Sequence, residues 1–263
     1  MRYFIDISYF GKNYHGWQTQ ENAITIQEII DKSLSTILKK DIKSLGSGRT
    51  DTGVHAMSQI AHFDFNGNII EDFLYRINSL LPRDISINSI NGVKENVSAR
   101  FDAISREYIY KIHTKKSPFL NDYSYYYKRD IDIELMNKAC DIIKKFKDFQ
   151  TFSKVKTDVN NYNCTISYAA IEKENNSYFF KVTSNRFLRG MVRAIVGTLF
   201  EINENKIEID LLEDIIIKKE RKLAGPSVPA HGLYLNKVSY EEDIYLCCLL
   251  YTSDAADEGL GVD

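Results

Sequence analysis

The sequence predicts an α+β fold, and three observations carry that prediction. Stretches with the two-residue period of a strand alternate with stretches whose apolar residues recur every three or four positions. Those stretches follow the order β-α-β-β-α-β and then follow it a second time. The chain's 263 residues, 44% apolar and 27% charged, have the composition of an ordinary globular protein with enough material for a sizeable core. Two such units imply two ferredoxin-like halves, residues 1–103 and 104–247, each an antiparallel sheet with helices on one face. Sheets of this kind can abut edge to edge and leave one long open face.

In the first half, Tyr3–Tyr9 alternates around Phe4, Ile5 and Ile7 and reads as a strand. The loop Phe10–Gln18 follows, with two glycines and the only tryptophan. Thr25-Ile26-Gln27-Glu28 has the spacing of a capping box, and Ile29, Ile30, Leu34, Ile37 and Leu38 then share one helical face. Ile42–Leu45 is a short strand into a glycine-rich loop, and Met57–Phe65 is the strand that leaves it. Glu71–Leu81 is helical up to Pro82, and Asp84–Ile90 returns as a strand.

In the second half, Arg106–His113 is a strand rich in Tyr and Ile. A Tyr-rich loop precedes a helix over Ile133–Phe146, and Thr165–Glu172 pairs with Tyr178–Thr183 as a hairpin across Lys173–Ser177. Helices over Phe187–Phe200 and Ile209–Lys218 and a strand over Gly232–Tyr240 complete the repeat. The stretch Cys248–Gly259 follows neither period and resembles translated sequencing adaptor, so residues 248–263 are expected to be a non-native or disordered tail.

Composition narrows the function classes. No uncharged run reaches membrane-spanning length, and the N-terminus lacks the basic-then-apolar order of a signal peptide. The four cysteines show neither Cys-x-x-Cys nor zinc-site spacing, so free thiols in a reducing cytoplasm are expected. The formal charge of −2 hides an asymmetry. Residues 1–240 hold all 34 basic residues and 29 of the 36 acidic ones, a modest excess of five positive charges. Residues 181–200 carry Lys181, Arg186, Arg189 and Arg193 and no acid.

The most unusual stretch is Gly46-Ser47-Gly48-Arg49-Thr50-Asp51-Thr52-Gly53-Val54-His55-Ala56. It is too polar for a buried strand and too rich in glycine for a helix interior, and a strand anchors it. Loops placed this way commonly carry function, although a tight turn with a surface Arg–Asp pair has the same letters. A free Asp titrates near about 3.9, and burial raises that by up to about 3–5 units. An anionic Asp51 in a closed site therefore needs a guanidinium beside it. Arg193 stands in the middle of an apolar helix (Phe187, Leu188, Met191, Val192, Ile195, Val196, Leu199), where a buried arginine demands a carboxylate. Another acid meets that demand equally well on composition alone. Asp51, His55, His62 and Asp64 fall in one window and are also compatible with a metal site. Tyr108 and Tyr110, with Tyr123, Tyr125, Tyr126 and Tyr127, offer aromatic faces for bases or ordinary packing.

Five motifs in order resemble the TruA family of tRNA pseudouridine synthases. They are Tyr14-His15-Gly16-Trp17-Gln18, Gly48–Ala56, Ala99-Arg100-Phe101-Asp102-Ala103, Arg106-Glu107-Tyr108-Ile109-Tyr110 and Phe187–Gly197, and the resemblance spans residues 1 to about 245. It implies that Asp51 is the nucleophile, that Arg49 helps displace the target base, and that Tyr108 stacks on the uracil and takes its C5 proton. It also implies that Arg193 holds the catalytic carboxylate. His55, Arg100, Arg106 and Arg189 are further candidates for holding RNA, and Arg189 stands where many members carry Tyr or His. The resemblance implies an isomerase with no cofactor and no metal, with tRNA as partner and uridines on the 3′ side of the anticodon stem-loop as targets. A cytoplasmic homodimer and two halves joined around a central RNA-binding cleft are implied as well. A non-catalytic RNA-binding protein on the same fold, and a metal-dependent phosphohydrolase using Asp51, His55, His62 and Asp64, are the competing readings.

Overall fold

The computed structural model describes residues 1–155 and 161–252. Along the first half the order is β1 (Arg2–Tyr9), α1 (Ile26–Leu38), β2 (Leu45–Gly46), β3 (His55–Asp64), α2 (Phe73–Leu80) and β4 (Ile85–Val93). The second half runs β5 (Ser105–His113), β6 (Tyr125–Tyr126), α3 (Ile133–Lys144), β7 (Ile166–Glu174), β8 (Ser177–Ser184), α4 (Met191–Asn203), α5 (Leu212–Ile217) and β9 (Leu233–Ser239), and β10 (Tyr245–Thr252) follows. The fold is mixed, with sheets and five α-helices among the described residues. By contacts the chain divides into two compact units, one of Met1–Ile104 with the chain from Lys237 onward and one of Ser105–Asn236. The chain thus returns to the first unit at Lys237, ahead of the boundary read at 247. Of the stretch read as a tail, residues up to Thr252 continue β10, and residues 253–263 lie outside the described residues.

The first unit's strands lie in the order β10-β4-β1-β3-β2, every neighbouring pair antiparallel. Alternation in β1 decides its faces. Tyr3, Ile5, Ile7 and Tyr9 are buried, whereas Asp6 and Ser8 stay half-buried on the other face. Ile26, Ile30 and Leu34 of α1 and Phe73, Leu74 and Ile77 of α2 bury the matching helical stripes. Thr25 is the N-cap of α1, but its side chain makes no capping bond and its hydroxyl is buried without a partner. The capping box read from the sequence does not form. Gln27 instead donates to the Ser44 carbonyl (2.6 Å) and accepts the Thr19 amide.

The second unit's strands run β9-β5-β8-β7, with β6 parallel to β5. The β7–β8 hairpin closes over Asn175–Asn176, tighter than the sequence implied, because Asn175 adopts a left-handed conformation (φ 54°). Buried residues cover nearly the whole circumference of α4, and Arg193 and Glu201 are among its few half-buried positions. Its first turn begins later than read: Phe187–Gly190 is not helical, because Gly190 at the N-cap is left-handed (φ 72°). Arg189 is therefore an exposed residue ahead of the helix rather than a member of it. Cys140 and Cys164 are buried free thiols, and burial pushes them up to about 12 and about 11.

A strap of extended chain, Ala224–Pro229, crosses α4 at Gly197. A Cβ there would lie 1.7 Å from the Pro226 carbonyl oxygen. Gly197→Ala gains about 1 kcal/mol of helix propensity but forces helix and strap apart, an overpacking cost of about 1–3 kcal/mol or more. The steric cost wins, so the variant is expected to lose stability, read as a lower denaturant midpoint with unchanged slope. His62 of β3 accepts the Ala99 amide at Nδ1 (3.0 Å), stacks on Phe4, and is held by burial below the usual imidazole value. Below about pH 6.5 the unfolded chain takes up a proton at His62 that the folded chain resists, so this contribution is lost as pH falls. The stability gap between wild type and His62→Gln is expected to narrow from about pH 8 to about pH 5.5. A gap independent of pH contradicts that placement of the proton.

Candidate active site

The Gly48–Ala56 motif lies in the first unit, in the turn from β2 to β3. Its start is pinned to β3, where the Ser47 amide donates to the Ile60 carbonyl (2.7 Å). The Gln59 side chain accepts the Ser47 hydroxyl (3.0 Å) and donates to the Gly48 carbonyl (3.0 Å). Its middle is pinned to the segment after β1. The Trp17 amide donates to the Thr50 carbonyl (3.2 Å), the Gly53 amide to the Tyr14 carbonyl (3.3 Å), and the Tyr9 and Thr50 hydroxyls share a buried bond of 2.8 Å. The Val54 amide returns to the Asp51 carbonyl (3.1 Å), closing a tight turn around the carboxylate residue.

The segment Phe10–Gln18 fits against this turn only because of its glycines. Gly16 is left-handed (φ 88°), and a Cβ there would stand 2.4 Å from the Thr50 carbonyl oxygen. At Gly11 a Cβ would stand 1.9 Å from that of Val54. His55 is fully buried, its ring is stacked on Phe10 at 4.3 Å, and its Nδ1 accepts the Gly11 amide (2.9 Å). That nitrogen carries no proton in this bond, and the imidazole braces the loop from inside. Asp51 is half-buried and Arg49 exposed, so both side chains stand at the rim of a turn whose backbone is fixed.

The second unit places the other candidates. Tyr108 is half-buried on β5, opposite Val182 in register, with its ring edge-on to Phe187 at 5.1 Å. Arg106 donates to the Asn185 carbonyl (2.8 Å). Tyr110 is fully buried, and its hydroxyl donates to the Pro229 carbonyl (2.9 Å). Arg193, half-buried on α4, donates from Nε to the Val228 carbonyl (2.6 Å), and the Val228 amide donates back to the Arg193 carbonyl (3.2 Å). Arg189 is exposed in the second unit, and Arg100 is exposed in the first, 5.5 Å from the Phe101 ring. Most of the loop tyrosines pack. Tyr127 stacks on Phe200 at 4.2 Å, Tyr125 lies near Tyr110 and Phe200, and Tyr126 stacks on His113.

Trp17 and Thr50, both inside motifs read from the sequence, hold the Asp51 turn together with Tyr9. Val228 and Pro229, which hold Arg193 and Tyr110, were not singled out from the sequence. Gly225-Pro226 and Pro229, in a span without either period, were the signal for the strap. The candidate metal set does not assemble. Asp64 is taken by Arg2 through two bonds of 2.8 Å, which holds its carboxyl below the usual range. His62 and His55 each use Nδ1 on a backbone amide. Among the described residues, no three or more His, Cys, Asp or Glu side chains are grouped to hold a metal ion. No helix among them is long and apolar enough to cross a membrane.

Comparison with known proteins gives one consistent result. A family model described as tRNA pseudouridine synthase matches residues 7–102 and 146–241. The chain is 43% identical over 247 residues to a tRNA pseudouridine synthase A of Parabacteroides distasonis, spanning 93% of this chain and 98% of that one. It is 42% identical over 250 residues to that of Porphyromonas gingivalis, spanning 93% and 99%. To that of Francisella tularensis subsp. holarctica it is 36% identical over 243 residues, spanning 91% and 94%. A fixed, half-buried aspartate turn with the Gly-Arg-Thr-Asp motif and family matches over most of the length lead to one conclusion: the chain belongs to the tRNA pseudouridine synthase family.

Proposed function

We propose that this chain isomerises uridine to pseudouridine in tRNA, with Asp51 as the catalytic carboxylate. The observation that carries the reading is the Asp51 turn, braced on one side by β3 and on the other by Tyr9, Tyr14 and Trp17. The N1–C1′ bond breaks, the uracil turns, and C5 bonds to C1′ while C5 loses a proton and N1 gains one. Nothing is oxidised or transferred, so the work is positioning and charge, and an Asp–nucleotide intermediate divides one difficult step into two. Asp51 acts at C1′, at C6 or on the C2′ proton.

In this proposal Arg193 is the cation that partners the Asp51 carboxylate in the reaction. Tyr108 stacks on the target uracil and receives the C5 proton, and Arg49, at the exposed rim, helps displace the base from its stack. In this reading each unit's sheet is a ferredoxin-like half that presents one face to RNA. His55, Arg100, Arg106 and Arg189 belong to the RNA-holding set, with His55 acting through the loop it braces. The targets are uridines on the 3′ side of the anticodon stem-loop, and the enzyme works as a cytoplasmic homodimer without cofactor or metal.

Asp51→Asn keeps the shape and removes the anionic oxygen. Pseudouridine formation, mapped on unmodified tRNA in EDTA, is expected to vanish while tRNA affinity stays within about tenfold, roughly 1.4 kcal/mol. Turnover by a verified Asn variant contradicts the assignment. The basic residues divide into two kinds. Lys181 is paired with Glu172 and Glu174, and Arg129 with Glu204, whereas Lys115 and Lys116 are exposed. Reversing Lys115 and Lys116 to Glu is expected to weaken all tRNAs alike and flatten the salt dependence of binding, because fewer condensed counterions are released. Salt titrations with equal slopes for variant and wild type place the phosphate track elsewhere.

A further inference from the structure

We infer that the strap Ala224–Pro229 is a positioning element that aims the Arg193 guanidinium, and that Thr198 is the side chain that sets the strap. The inference rests on the reading of Arg193 as the partner of Asp51. Arg193 and Val228 are tied both ways, Nε to carbonyl at 2.6 Å and amide to carbonyl at 3.2 Å. A guanidinium is planar, so a short bond at Nε fixes the plane and with it the direction of the two terminal nitrogens. The aim of Arg193 therefore depends on the placement of that backbone carbonyl.

Three contacts place that carbonyl. Thr198 is fully buried one helical turn beyond Arg193's neighbour Ala194, and its hydroxyl donates to the Ala194 carbonyl (2.9 Å) while accepting the Gly225 amide (2.8 Å). It bridges the turn carrying Arg193 to the strap. Gly197 and Gly225 let the two backbones touch, since a Cβ on either would meet the other's segment within 2.6 Å. From the other flank Arg221 donates to the Gly225 carbonyl (2.9 Å), the Ala224 carbonyl (3.3 Å) and the Ser227 hydroxyl (3.1 Å). Beside the strap lies a pocket of about 160 Å³ lined in part by Tyr125, Tyr127 and Phe200. Ala224 and Val228 are buried and anchor the strap by packing, and the directed bonds set its orientation between them.

Thr198→Val keeps the shape and removes the hydroxyl, Thr198→Ser keeps the hydroxyl, and Arg193→Lys removes the Nε donor. Each is assayed for single-turnover pseudouridine formation, for tRNA affinity and for thermal stability. Thr198→Val is expected to slow turnover about tenfold or more with affinity unchanged within about twofold. Arg193→Lys is expected to show the same split, rate lost and affinity kept. Thr198→Ser should restore the rate, and Arg221→Met should lower it in the same way if the Val variant fails to fold. A Thr198→Val and an Arg221→Met enzyme that lose only thermal stability, while Arg193→Lys loses rate, overturn the strap's role. An Arg193→Lys enzyme with unchanged rate overturns the underlying reading of Arg193 instead, and the positioning claim with it.

Discussion

Two stretches of main chain, Phe10–Gln18 and Gly48–His55, touch backbone to backbone, and the placement of Asp51 depends on that contact. It has no slack. At Gly11 and Gly16 even a methyl group would overlap the carbonyls of Val54 and Thr50. Amides of Trp17 and Gly53 bond across the seam, and the hydroxyls of Tyr9 and Thr50 add a buried bond. Buried polar groups left unpaired cost about 1–3 kcal/mol each, so the seam closes as a unit or not at all. His55 adds a brace of the same kind through Gly11. A loop of small polar residues, which by composition would be mobile, is thereby made rigid.

The second unit uses the same device for a cation. Gly197 and Gly225 let α4 and the strap meet without side chains between them, and Thr198 links them by accepting from one and donating to the other. Arg193 is bound to the strap at both its side chain and its main chain. An isomerisation with no group transferred has little for a protein to contribute except geometry and charge, and misplacement by about 1 Å can cost about a hundredfold. Both proposed catalytic groups sit within a turn of a crossing where no larger residue fits.

Much of this was legible in the letters, and the exceptions share a cause. The order of β1 through β4 and of β5 through β9 followed from apolar period, because each strand and helix buries one face. The exception is the two-residue β6, in the stretch read as a Tyr-rich loop. The Asp51 loop stood out because three glycines around an Arg, an Asp and a His serve no core. The start of α4 was misread because Phe187 and Leu188 continue the apolar pattern, whereas left-handed Gly190 ends it. Thr25 and Glu28 had the letters of a capping box, yet the Thr25 hydroxyl is buried and makes no capping bond. Gly225-Pro226 and Pro229 marked an irregular span, but its role was hidden because the work is done by the Val228 and Pro229 carbonyls, which every residue type possesses. No side-chain pattern marks which carbonyl aims an arginine.

In the proposed reaction this chain moves uracil from N1 to C5 attachment without a metal or cofactor. Release of tritium from C5-labelled uridine in unmodified tRNA, followed with the purified chain in EDTA, tests it most directly. One C5 proton leaves for each pseudouridine made, so the account predicts tritium release matching pseudouridine formed, undiminished by the chelator. Absence of release from an RNA the chain binds, or release that EDTA abolishes, would contradict it.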